Sequence, residues 1–113
     1  MKTFDFNALT IPTLDVTMQD EARTVLHLTD PTVDLLERFT AAAKDARLTA
    51  KKKDAQTIQA INELFAGVFS CNADGVTVTP EELRDKYRLS IVHLIAFMPA
   101  YLDYINEIKS AKN

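Results

Sequence analysis

The chain has 113 residues, 47% apolar and 26% charged, and that balance excludes a disordered segment, a collagen-like repeat and a disulfide-built scaffold. Its single cysteine, Cys71, makes no intramolecular bridge, and the N-terminus lacks the order of a secretory signal, so a reducing cytoplasm is the expected location. The net charge of -3 divides into -5 over residues 1–37, +4 over 38–54 and -2 over 55–113, and this net acidity argues against a dedicated nucleic-acid binder.

Leu9, Ile11, Pro12, Leu14, Val16 and Met18 nearly alternate with polar neighbours, the period of a half-buried strand. Pro12 cannot donate to a ladder and suits a sheet edge. Beyond Gln19-Asp20-Glu21, the run from Arg23 to Leu28 returns as the second arm of an antiparallel hairpin. A hairpin alone is marginal, so it must lie on helices, gain a strand or pair with another chain. Thr29-Asp30-Pro31 then predicts a helix start, with Asp30 as cap and Pro31 at the first helical position. Val33, Leu36, Phe39 and Ala43 recur at helical spacing and predict its buried face, with Leu35, Ala42 and Ala46 alongside.

From Thr49 to Thr57 no large apolar residue occurs, and Lys51, Lys52 and Lys53 stand together. Neither glycine nor proline falls between Pro31 and Gly67, so residues 49–57 fit either a turn or one continuous helix. Ile58, Ile61, Leu64, Phe65, Val68 and Phe69 predict a helix that ends near Cys71. Asn72-Ala73-Asp74-Gly75 is turn chemistry, and Val76-Thr77-Val78 predicts a short strand. The strongest local signal is Thr79-Pro80-Glu81-Glu82, an N-cap threonine, a first-position proline and a capping-box glutamate.

The helix opened by that cap is expected to carry Leu83, Tyr87, Ile91, Leu94, Ile95 and Met98 on one face, with Leu89, Val92 and Phe97 elsewhere around the axis. Pro99 is expected to break or kink it around Ala96 to Met98, with Tyr101, Leu102, Ile105 and Ile108 in a short last helix. Leu89 to Leu102 is free of Asp, Glu, Lys and Arg but contains His93 and Pro99 and falls short of the roughly 20 residues a bilayer core needs. It reads as core or subunit interface, and no membrane partner is expected. The predicted fold is α+β, mainly α, in one domain: a hairpin region over residues 1–28 and three to four packed helices over 31–111.

Four patterns invite a chemical reading. Asn72, Asp74, Gly75 and Glu81 fall at the third, fifth, sixth and twelfth positions of an EF-hand loop, but Ser70 stands where the first carboxylate belongs. With two charged ligands left, a tight turn followed by a capped helix is the preferred reading. Cys71 lacks a histidine at any spacing that would activate it, and His27, His93 and Cys71 make no zinc pattern. The pairs Glu81/Glu82 and Asp103/Glu107 read as helix-end and polar-face residues. Lys44, Arg47 and Lys51 make a positive stripe, with Lys52 and Lys53 beside it, but no clustered aromatics accompany it as a platform for nucleic-acid bases. No catalytic residue, metal ligand or cofactor is expected.

The strand region Leu9 to Leu28, the segment Ile61-Asn62-Glu63-Leu64-Phe65-Ala66-Gly67-Val68-Phe69 before a glycine-containing loop, and the terminal Tyr101-Leu102-Asp103-Tyr104-Ile105 follow one another in an order that resembles the tail assembly chaperones of long-tailed siphophages. The resemblance covers nearly the whole chain, with one departure: Gly67 precedes Val68-Phe69 instead of closing the helix. It implies a non-enzymatic protein of the host cytoplasm that coats the hydrophobic tape-measure protein, helps recruit tail-tube subunits, and is often also made as a longer frameshifted form. Self-association is expected with it. Phe65, Phe69, Ile95, Phe97 and Tyr101 are the candidates for core or protein contact. The alternatives are a small helical adaptor or regulatory domain acting as a homodimer, and an enzyme with a small-molecule pocket.

Overall fold

A computed structural model of the chain describes residues 2–6, 11–45 and 54–110. Two strands, β1 (Leu14–Thr17) and β2 (Val25–Leu28), pair antiparallel with Leu14 opposite Leu28 and Thr17 opposite Val25. The Met18 N–H continues the ladder to the Thr24 carbonyl at 2.8 Å. The even-numbered side chains Leu14, Val16, Met18, Leu26 and Leu28 therefore face inward, while Asp15, Thr17, Val25 and His27 face out. In the connecting turn Asp20 accepts from the Thr24 N–H at 2.8 Å and from its hydroxyl, and Arg23 takes a left-handed backbone with φ 49°. These bonds hold the Asp20 carboxyl below the usual carboxylate range. The predicted strand start at Leu9 lies outside the described residues.

Four helices follow among the described residues: α1 (Val33–Ala43), α2 (Ala55–Ser70), α3 (Pro80–Asp85) and α4 (Ile91–Lys109). The cap of α1 is Thr32, whose hydroxyl accepts the Leu35 N–H at 3.2 Å, and not Asp30 as expected. Its buried face also differs from the expected one. Leu35 and Phe39 are buried with Ala42 half-buried, whereas Val33 is 73% exposed, because the helix docks on α2 along the row of Leu35, Phe39 and Ala42. Leu35 closes on Gly67 of α2, where an added Cβ would come within 3.1 Å of its Cδ1.

A fresh cap opens α2: Asp54 is extended and its carboxylate accepts the Thr57 N–H at 2.7 Å. Thus α1 and α2 are separate helices, and the lysine run between them lies outside the described residues. The inward row of α2, Ile61, Leu64, Phe65, Val68 and Phe69, is buried as its spacing predicts.

Two expectations fail in the C-terminal half. The predicted third helix is two helices, because Arg88 adopts a left-handed backbone, φ 56°, and the Leu89 N–H turns back to the Leu83 carbonyl at 2.8 Å. Nothing in the residue type signals this, since glycine or asparagine is the usual occupant. Conversely, Pro99 does not end α4, which runs through it for 19 residues. Pro99 sits on the exposed side, where water can take up the carbonyl its missing N–H leaves behind.

The cap of α3 matches expectation in full: Thr79 accepts the Glu82 N–H at 3.2 Å and the Glu82 carboxylate accepts the Thr79 N–H at 3.1 Å. Thr79→Ala is expected to cost about 1 kcal/mol in urea unfolding. An unchanged midpoint would mean that this box contributes nothing to the fold.

Candidate functional site

Four of the five candidate contact residues, Phe65, Phe69, Phe97 and Tyr101, gather in one aromatic cluster, and Ile95 stands outside it. Phe39 of α1 meets the rings of Phe65 at 5.7 Å and Tyr101 at 4.8 Å, and Phe69 stacks on Phe97 at 5.4 Å. Phe65, Phe69 and Tyr101 are buried, whereas Ile95 and Phe97 are only half-buried. The Tyr101 hydroxyl finds no hydrogen-bond partner among the described residues, and burial pushes its pKa upward. Tyr101→Phe removes this unpaired group and is expected to raise stability by about 1 kcal/mol. A lower melting temperature would show that the hydroxyl has a partner.

Around this cluster α4 turns an outer face that carries Val92, Ala96, Pro99 and Ala100, all exposed, beside the half-buried Ile95. Val92 is 72% exposed. An exposed helix face ordinarily carries charge, and from Ile91 to Leu102 this one carries no Asp, Glu, Lys or Arg. A cleft of about 160 Å³ lies next to it, between β1 and α4, lined by Val16, Met18, Phe69, Leu89, Leu94 and Phe97 together with Thr17 and His93. At its mouth Ser90 donates its N–H to His93 Nδ1 at 3.0 Å. The other ring nitrogen, Nε2, lies 3.0 Å from the Gln19 side-chain amide nitrogen, which also donates to the Arg88 carbonyl at 3.2 Å. A second cavity of about 270 Å³ lies between α1 and α2, walled by Ala42, Asp45, Gln56, Thr57, Ala60, Ile61 and Leu64.

The loop after α2 has the residues of a weak EF-hand match but uses them otherwise. Asn72 donates to the Phe69 and Val76 carbonyls at 2.7 and 2.8 Å and accepts from the Asp74 and Val76 N–H groups at 3.1 and 3.0 Å. Ser70 Oγ accepts the Val78 N–H at 2.9 Å and lies 2.7 Å from the Ala66 carbonyl. These side chains occupy the backbone of Val76 and Val78 as a neighbouring strand would, so the predicted strand over Val76–Val78 does not form. Gly75 completes the turn at φ 69°. Among the described residues no group of three or more His, Cys, Asp or Glu side chains is arranged to hold a metal ion.

This loop is stitched to the outer edge of β2. Thr29 N–H donates to the Cys71 carbonyl and Ala73 N–H to the His27 carbonyl, each at 2.8 Å. Asp74 accepts the His27 N–H at 2.9 Å and lies 3.0 Å from its ring Nδ1, while Asp15 of β1 stands 3.9 Å from Nε2. The hydrogen bond to Asp74 raises the His27 pKa above its ordinary 6.5, and the His27 N–H and ring hold Asp74 below 3.8.

The signs follow from linkage. The raised His27 contributes stability in full below 6.5 and loses it as pH rises through its folded value. The lowered Asp74 contributes above 3.8 and loses it as pH falls through its own. The difference in unfolding midpoint between the native chain and His27→Gln is therefore expected to be widest at about pH 5 and to shrink toward alkaline pH. A difference that grows above neutrality would refute the pairing.

Asn72 organises this loop through four hydrogen bonds, and their partners, spread over residues 69 to 76, leave no mark in the sequence beyond that of a turn. No helix among the described residues is long and apolar enough to cross a membrane. No family model matches the chain, and no curated protein or solved structure matches it.

Proposed function

We propose that the chain is a non-enzymatic protein-binding assembly factor, acting as a tail assembly chaperone that coats a hydrophobic tape-measure protein and aids tail-tube assembly. The uncharged outer face of α4 supports this reading. Val92, Ala96, Pro99 and Ala100 expose a row of small and branched apolar groups over which a client helix can lie closely, with Ile95 and Phe97 at its margin. The order of elements in the chain supports the narrower role: a hairpin, a Phe-rich helix before a glycine-containing loop, and a final helix rich in aromatics.

The test is co-expression with a tape-measure fragment, followed by size-exclusion chromatography with light scattering. The native chain is expected to elute in a soluble complex with the fragment, and the Val92→Glu/Ala96→Glu variant alone and unchanged in its melting curve. A native chain that ignores the fragment would defeat the chaperone role, and a complex that survives both glutamates would move the contact off α4.

A further inference from the structure

We infer that the client received by α4 is a basic amphipathic helix, with an apolar row on Val92, Ala96 and Ala100, one large apolar side chain in the cleft between β1 and α4, and lysine or arginine over Asp103 and Glu107. The inference rests on the protein-binding reading above and names the chemistry of the partner.

Helical spacing draws the site. Val92, Ala96, Asp103 and Glu107 stand at i, i+4, i+11 and i+15, with Pro99 and Ala100 between them, so they form one line along α4, and all six are exposed. The first half of that line is apolar and the second half is acidic. Asp103 and Glu107 are neighbours on the helix surface with charge of the same sign, an arrangement that weakens a helix unless a cation answers it. None of the ion pairs among the described residues includes either of them. The one lysine or arginine of α4, Lys109, lines a groove toward Lys44 of α1 instead. A second α4 laid on this face would bring the same two carboxylates and no lysine or arginine from Ile91 to Ile108. Charge complementarity therefore selects a partner of different sequence that carries its own cations.

The cleft fixes the rest of the motif. It opens beside the apolar half of the line, with His93 and Phe97, the neighbours of Val92 and Ala96, in its wall. Its volume of about 160 Å³ is close to the roughly 150 Å³ at which an apolar cavity accepts a benzene ring, and its lining is mostly aliphatic and aromatic. From the cleft to the acidic pair is about 15 Å along α4, so the anchor and the cations of the client stand about three helical turns apart. Small side chains at Ala96 and Ala100 let the two helix axes approach closely between these points.

The probe is a fluorescently labelled synthetic helix of about 20 residues with one phenylalanine and, about three turns along the same face, two lysines. A second peptide has glutamates for the lysines, and a third has alanine for the phenylalanine. Anisotropy with the full chain at low salt is expected to show the lysine peptide bound at least ~10-fold more tightly than the glutamate peptide, with the preference shrinking as salt rises. The alanine peptide is expected to bind ~10-fold more weakly than its parent. Asp103→Lys/Glu107→Lys, at exposed positions, is expected to reverse the charge preference with the melting curve unchanged, and Asp103→Asn/Glu107→Gln to abolish it. Equal affinity for the two charge types, no binding of any peptide, or a preference that survives either pair of substitutions would overturn the inference. So would a native chain that sediments as a dimer which these substitutions dissolve, since a second copy would then be the occupant. Failure of the motif is separable from failure of the protein-binding reading: a tape-measure fragment that still co-elutes with the Asp103→Lys/Glu107→Lys chain keeps the client on α4 and removes the charge requirement.

Discussion

Phe39→Ala is expected to lower the free energy of unfolding by about 3–5 kcal/mol, the cost of emptying a filled aromatic site in a core that relaxes only in part. Phe39 is fully buried and brings the ring of α1 into the aromatic cluster, against Phe65 of α2 and Tyr101 of α4. Removing its ring opens a void where three helices meet. Because a domain of this size is stable by only about 5–15 kcal/mol, the variant is expected to lose a large part of its folded margin. Urea unfolding followed by circular dichroism reads this directly. A loss below about 1 kcal/mol would mean that α1 does not depend on this ring for its docking.

The second large effect is expected at Asn72. Asn72→Ala removes an amide that donates two hydrogen bonds and an oxygen that accepts two from a part-buried loop, leaving the Phe69 and Val76 carbonyls and the Asp74 and Val76 N–H groups without that partner. With each buried unpaired group costing about 1–3 kcal/mol and water restoring part of it, a loss of at least about 2 kcal/mol is expected. Asn72→Asp is expected to destabilise as well, because carboxylate oxygens would face the two carbonyls. That second variant also separates the loop from a calcium site. An EF-hand loop would gain affinity from a carboxylate at this position, and millimolar calcium would then raise the melting temperature. Neither chain is expected to respond to calcium, and a clear upward shift in the Asn72→Asp variant would restore the cation reading.

Most of the elements were legible because their signals are local. The Thr79-Pro80-Glu81-Glu82 cap, the apolar row of α2 and the alternation around β1 depend on residues within a few positions of one another, and the structure carries all three. The failures share a cause in the backbone. Arg88 splits the predicted third helix through a left-handed conformation that its residue type does not announce, and Pro99 is accommodated because its turn of α4 faces outward. Which side of α1 is buried was likewise undecided by spacing alone. Leu35 and Leu36 both lie on plausible stripes, and the approach of Leu35 to Gly67 selects one of them.

The candidate contact residues divide in the same way. Sequence spacing placed Phe65, Phe69, Ile95, Phe97 and Tyr101 on apolar helix faces, but a helix apolar nearly all round carries no mark of which side meets its own core. Packing decides it: the three-helix cluster takes in Phe65, Phe69 and Tyr101, and leaves Ile95 and Phe97 at the margin of an uncharged outer face. The sequence by itself determined the α+β class, the hairpin, α2 and the capped start of α3, since periodicity and capping are short-range physics. Only the tertiary structure decided how the loop after α2 closes the β2 edge through His27 and Asp74, and which apolar groups remain outside, because those contacts join residues far apart in the chain.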